Sequence, residues 1–297
     1  MSKAFQLGFV EFGTRRIEPE LRYYTEVIGA TVTESEPDGS VYLSLGLDQH
    51  NIALRSSTQT GMRCIGFQVT KDIAIADWAV HIKNFGLSPV VKSDARPGVS
   101  KLVEVVEPGG HVLQLYSEMS VPAPGFASRG IVPNKLGHVA IMSPEAPKSA
   151  KFFEDVLRFS ITDRIDPGAT FLTCNRDHHV LNLVTAPLQK LHHIAFELRA
   201  RSQHRDAADL LSANQIPIVW GPARHTAGHN LASYHFDPDQ VLVELYADMD
   251  ILIPELGWFE PRPWHETLPL RPQVWQRSTL TTWGTKYDFD FRKALTA

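Results

Sequence analysis

Leu7-Gly8-Phe9-Val10, Cys64-Ile65-Gly66-Phe67 and Leu113-Gln114-Leu115-Tyr116 each return about 129 residues later. They come back as Leu136-Gly137-His138-Val139, His193-Ile194-Ala195-Phe196 and Val243-Glu244-Leu245-Tyr246. A repeat of that length is a duplicated fold. The copies differ in chemistry: Phe9, Cys64 and Gln114 stand in the first where His138, His193 and Glu244 stand in the second. Two imidazoles and one carboxylate, with coordination positions left open, are the facial set of a non-haem ferrous centre that handles oxygen. One working metal site and one retired site are therefore expected.

Strand periodicity supports the ligand choice. Successive side chains of a strand point to opposite faces. In His192-His193-Ile194-Ala195-Phe196-Glu197, Ile194 and Phe196 belong against the helices, which puts His193, Ala195 and Glu197 on the other face. His192 is then solvent-facing or a support for its neighbour. Glu244 lies opposite Val243 and Leu245, on the face of Tyr246. A carboxylate buried unpaired in such an apolar run is costly, and a metal is its simplest partner. Alone, each histidine reads more readily as a hydrogen-bonded core or surface residue; the three together do not.

The surrounding modules read as a strand, a helix and then several strands. In the first half, LGFVEF precedes a helix in which Leu21, Tyr24, Val27 and Ile28 keep helical spacing. RCIGFQV opens the second module, and Glu107-Pro108-Gly109-Gly110 turns its final hairpin. In the second half Ser143 is the expected N-cap of a helix, with Pro144 at its first position. Asp237-Pro238-Asp239-Gln240 makes the matching hairpin turn. The expected divisions are residues 1–120, a Pro- and Gly-rich linker over 121–134, a metal-bearing domain over 135–250, and a tail over 251–297. That tail carries Trp258, Trp264, Trp275 and Trp283, so it packs on the body or at a subunit interface; a lid over the site is the alternative.

At 297 residues the chain has room for two domains with proper cores. A formal net charge of −4 without a basic block argues against nucleic acid. No run approaches the roughly 18 apolar residues of a membrane span, and the N-terminus lacks a signal-peptide layout. Cys64 and Cys174 fall in different halves and form no spaced motif, which suits a reducing cytoplasm.

The segments LGHV, CNRDHHVLNL, LHHIAFE, ARHTAGHNLASYHFDP and VELYAD, in that order, resemble the vicinal oxygen chelate superfamily (glyoxalase, bleomycin resistance, dioxygenase). Within it they are most similar to the two-domain type I extradiol ring-cleavage dioxygenases of catechol catabolism. The resemblance covers about residues 5–250. It implies an α+β fold of two tandem domains, each of paired βαβββ modules forming a curved, barrel-like sheet. It implies Fe(II), with Mn(II) as the alternative, held by His138, His193 and Glu244. The catecholic substrate and O2 would meet three further residues: His179 in oxygen activation and proton transfer, His225 hydrogen-bonding the substrate, and Tyr234 contacting a substrate oxygen. Family members are usually homo-oligomers. Ala227-Gly228 departs from the polar residues common after the first of these loop histidines, and His229 and His235 have no assigned part.

The rivals are a glyoxalase-like isomerase, a thiol transferase, a hydroquinone-cleaving dioxygenase and a non-catalytic small-molecule binder. An isomerase needs a second acid–base carboxylate, and the binders lack the ligand set. Phe171, Leu172, Val180, Ile194 and Tyr246 are the expected pocket lining, with Arg176 and Arg224 as candidates for an anionic substituent.

Overall fold

In the computed structural model, which describes residues 3–286, the sequence repeat becomes two mixed β-sheets. The first contains β1 (Ala4–Thr14), β2 (Thr31–Ser35), β3 (Val41–Ser44), β4 (Ile52–Ser56), β5 (Gly61–Val69), β6 (Val90–Arg96), β7 (Val99–Val106) and β8 (Val112–Tyr116). Its spatial order is β2-β3-β4-β1-β5-β8-β7-β6. The second contains β9 (Lys135–Ser143), β10 (Ser160–Asp166), β11 (Ala169–Thr173), β12 (Leu181–Thr185), β13 (Lys190–Glu197), β14 (Trp220–His225), β15 (Leu231–Phe236) and β16 (Leu242–Ala247). These follow the same order, β10-β11-β12-β9-β13-β16-β15-β14. Helices α1 (Ile17–Arg22, running on into a π-helical turn over Tyr23–Ile28), α2 (Ile75–Asn84), α3 (Ala146–Asp155) and α4 (Gln203–Ala213) each follow the first strand of a module. Every module is thus βαβββ, in the vicinal oxygen chelate manner.

The repeated Leu-Gly and Leu-Tyr motifs have one packing cause. A Cβ on Gly8 would stand 1.7 Å from the Tyr116 hydroxyl, and one on Gly137 would stand 1.8 Å from that of Tyr246. Each half tucks a buried tyrosine across a strand that only glycine leaves open. Alternation then divides the faces: Val139, Ile141, Ile194, Phe196, Val243 and Leu245 join the helices in a core that runs through both halves. Phe67 meets Phe153 and Phe159 edge-on within that core, with ring centroids 6.0 and 5.5 Å away.

Helix α3 departs from the expected start. Glu145 occupies its N-cap position and Pro147 its first turn. Ser143 instead ends β9, where its hydroxyl accepts from the Glu145 amide at 3.0 Å and donates to the Gly109 carbonyl at 3.1 Å. The hydroxyl is spent on the turn and on the other half, so it caps nothing.

Polar contacts also join the halves. Tyr23 and His235 share a 2.7 Å hydrogen bond. Nearby, burial raises the carboxyl groups of Glu20 and Asp237, and for Glu20 the charges of Asp237 and Asp239 add to the effect.

Past the repeat, β17 (Leu252–Ile253) pairs with β18 (Trp258–Phe259). The chain then adds β19 (Gln273–Gln276) beside β10 and β20 (Thr281–Gly284) beside β14, one on each edge of the second sheet. Trp275 donates to Asp163 at 2.5 Å, and Trp264 donates to Asp250 at 3.2 Å. Residues 287–297 of the tail lie outside the described residues. Among those described, no helix is long and apolar enough to cross a membrane.

Candidate metal centre

The three expected ligands come from the three central strands of the second sheet. Register places His138 of β9 opposite Ala195 of β13, and Ala195 beside Glu244 of β16, in one row. His193 lies two residues along β13 on the same face. The Nε2 atoms of His138 and His193 are 3.2 Å apart, and each is 3.1 Å from Glu244 Oε2. All three side chains are buried.

Hydrogen bonding alone accounts poorly for this triangle, because two ring nitrogens and a carboxylate oxygen turn toward one point. Donors at about 2.1 Å from a common ion and at right angles to one another stand about 3.0 Å apart; tetrahedral donors stand about 3.4 Å apart. The observed edges fit one face of an octahedron, and such a set leaves positions open. The residues present therefore fit a divalent metal.

The surrounding groups hold the donors in place. Glu244 Oε1 accepts from Asn230 at 2.7 Å, and Oε2 accepts from the Tyr234 hydroxyl at 2.7 Å. Burial pushes the Glu244 carboxyl up, but the His138 and His193 imidazoles overcome this and leave it well below the usual range. His193 Nδ1 lies 2.7 Å from His192 Nδ1. With its Nε2 turned to the centre, His193 donates through Nδ1, the outer-shell bond that fixes a ligand's tautomer. His192 can accept because burial, followed by the nearby His193 charge, pushes its pKa down to about 3. Of the two expectations for His192, support of its neighbour holds and exposure to solvent does not: it is buried and lines the cavity. A register irregularity between Leu191 and His193 breaks the strict alternation there.

The donors open onto a cavity of about 380 Å³. His179, His225 and Tyr234 all line it with the three ligands. The His179 ring lies 4.3 Å from that of His138, and His225 Nε2 is 3.0 Å from the Tyr234 hydroxyl. Burial, then repulsion from the His138 and His178 rings, holds His179 well below the ordinary imidazole value. The remaining walls are largely apolar: Ile165, Pro167, Ala169, Phe171, Val184, Ala227 and Leu280.

Of the expected lining, Phe171 is present, but Leu172, Val180 and Ile194 belong to the main core, and Tyr246 packs beside Gly137. Arg176 pairs with Glu260, while Arg224 donates to the His229 carbonyl under Trp264; neither lines the cavity. Arg277 and Leu280, both from the tail, do. His229 and His265 both bond Asp250, at 2.7 and 2.8 Å, fastening the tail with Trp264.

In the first sheet the equivalent row is Phe9, Gly66 and Gln114. Its centre is filled by Arg96, buried to 6% exposure, which sequence reasoning missed. The guanidinium lies 4.0 Å over the Phe9 ring. It donates to Gln114 at 3.0 Å, to Glu11 at 2.6 Å and to Cys64 Sγ at 3.5 Å. A side-chain cation thus touches all three counterparts of the metal ligands.

Comparison with known proteins places these features. Residues 135–245 match the profile of the Glyoxalase/Bleomycin resistance protein/Dioxygenase superfamily. The chain is 28% identical over 258 residues to biphenyl-2,3-diol 1,2-dioxygenase of Paraburkholderia xenovorans (strain LB400), covering 80% of this chain and 86% of that one. It is similar in fold to the 2,3-dioxygenase LapB from Pseudomonas sp. KL28 (TM-score 0.82, 23% identity, 93% and 98% of the two chains). The fold is equally like that of the Mn(II)-bound glyoxalase from Novosphingobium aromaticivorans (TM-score 0.83, 24% identity, 96% and 92%).

Proposed function

We propose that the chain, which is similar to type I extradiol dioxygenases of the glyoxalase/bleomycin resistance/dioxygenase superfamily, is an Fe(II)-dependent enzyme that opens the ring of a catecholic substrate with O2 in the degradation of aromatic compounds. The observation that carries this reading is the triangle of His138, His193 and Glu244, facing an apolar cavity with coordination positions to spare. The region over residues 1–120 is read as the retired copy, with Arg96 in place of a metal.

When bound, a ferrous ion supplies a Lewis acid for two vicinal substrate oxygens and one-electron access to triplet dioxygen. His138, His193 and Glu244 hold it. The apolar walls accept the aromatic ring and exclude bulk water. Tyr234 gives its hydroxyl hydrogen to Glu244 and takes one from His225, which leaves a phenolic lone pair beside the ligands to accept from a substrate hydroxyl. His179, lining the cavity beside His138, is placed to take a proton from the substrate and return it as the ring opens, a role worth about 10²–10⁴-fold.

The manganese glyoxalase of the same fold makes an isomerase the second reading. Against it, Glu244 is the one carboxylate among the described residues lining the cavity. The test is anaerobic reconstitution with ferrous ion, then a panel of catechols in air. A yellow ring-opened product is expected. Tightly bound metal with a colourless panel would overturn the proposal.

A further inference from the structure

His178 is fully buried and does not line the cavity, yet it touches the residue that the proposed reaction depends on. Its Nδ1 is 3.0 Å from Nδ1 of His179. Two imidazole nitrogens at that distance share one proton, so one donates and the other accepts. Which one donates is decided on the far side of His178. There Nε2 lies 3.1 Å from Asp163 Oδ2, at ion-pair distance though off the line of a straight N–H···O bond. No hydrogen bond closes there, but a lone pair facing a carboxylate oxygen at that distance is repelled, so the electrostatics favour the His178 proton on Nε2, with Nδ1 as the acceptor. His179 must then carry its own proton on Nδ1, and Nε2 keeps the lone pair available to the cavity.

The supports are rigid. Phe259 stacks on His178 at 5.1 Å, and the His178 amide donates to the Asp250 carbonyl at 2.9 Å. A Cβ on Gly228 would come within 2.9 Å of His178 Nδ1, so only glycine lets that loop pack against the ring. Asp163 is aimed by the tail: it accepts from the Gln273 amide at 2.7 Å and from the Trp275 indole at 2.5 Å.

We propose that His178 is a positioning residue: with Asp163 and strand β19 it fixes the tautomer of His179, so that Nε2 is the nitrogen exchanging protons with substrate. The proposal rests on the reading of His179 as a proton carrier, but the tautomer can be observed without turnover. The test is nitrogen-15 NMR of histidine-labelled full chain loaded with diamagnetic zinc. The Nδ1–H form of His179 is expected in the wild type. It should be lost in His178→Phe and kept in His178→Asn, whose side-chain oxygen can accept in place of Nδ1. Finding the Nε2–H form in the wild type would overturn the proposal, whether or not the chain cleaves catechols. In the iron-loaded enzyme His178→Phe should lower kcat roughly 10–100-fold with KM and bound iron unchanged. In a His179→Ala background the same change should cost nothing further. Equal losses in both backgrounds would make His178 merely structural.

Discussion

His193 donates through Nδ1 to His192 and turns Nε2 inward, so removing its ring takes away one corner of the donor triangle. His193→Ala is expected to lose bound iron, measured by elemental analysis; unchanged iron content would refute the ligand assignment. His179→Ala should separate binding from chemistry. It should keep its iron while kcat falls about 10²–10⁴-fold, because His179 makes no part of the triangle. At this scale alternation made His193 and Glu244 legible, along with the helix-facing Ile194 and Phe196. The same rule explains the misplaced lining: Ile194 sits next to a site residue in sequence and therefore on the opposite face. For His192 alternation left solvent or support of its neighbour open, and support holds, at a point where a strand irregularity suspends the rule.

Strands and helices followed the pattern where apolar residues repeat, and within the repeat two strands escaped it. Strand β6 reads VVKSDAR and is mostly exposed, so no apolar alternation marks it. Strand β14 contains Gly221-Pro222, which reads as a break, yet it carries His225. The missed β6 also hid Arg96, the cation of the first sheet. Arg96→Met should destabilise the protein by about 3 kcal/mol, the low end for breaking a buried pair, because Arg55 and Arg63 still face Glu11. Iron content should not change, and denaturant unfolding checks the first value. Where α1 meets the hairpin turn of the other half, burial pushes Glu20 up to about 9, with the Asp237 and Asp239 charges adding. A folded-state pKa above the unfolded one gives stability that is present below the ordinary carboxyl value of 4.5 and lost as pH climbs toward 9. The melting temperature should therefore drop across that interval, and Glu20→Gln should flatten the drop. An identical slope in the variant would show that Glu20 is ionised throughout.

Across the whole molecule, the duplication was readable because the glycine–tyrosine pairs and the apolar rows survive in both copies. The route of the tail was not, since edge strands such as β19 and β20 owe their place to unpaired backbone on β10 and β14 rather than to their own periodicity. The tail packs on the body and also reaches the cavity through Arg277 and Leu280. Ending the chain before residue 272 should leave iron binding intact and lower kcat/KM roughly ten-fold or more, as the roof and the Asp163 donors are lost. Steady-state kinetics with a metal assay would decide this; full activity would make the tail a passive wrapping.

Arg96 also bears on how the molecule responds to a chelator. Its guanidinium is tethered to the backbone and no reagent can extract it, whereas the positive charge among His138, His193 and Glu244 must be borrowed from solution. Stripping divalent ions should therefore loosen one half only, with amide exchange quickening along β9, β13 and β16 while β1, β5 and β8 stay protected.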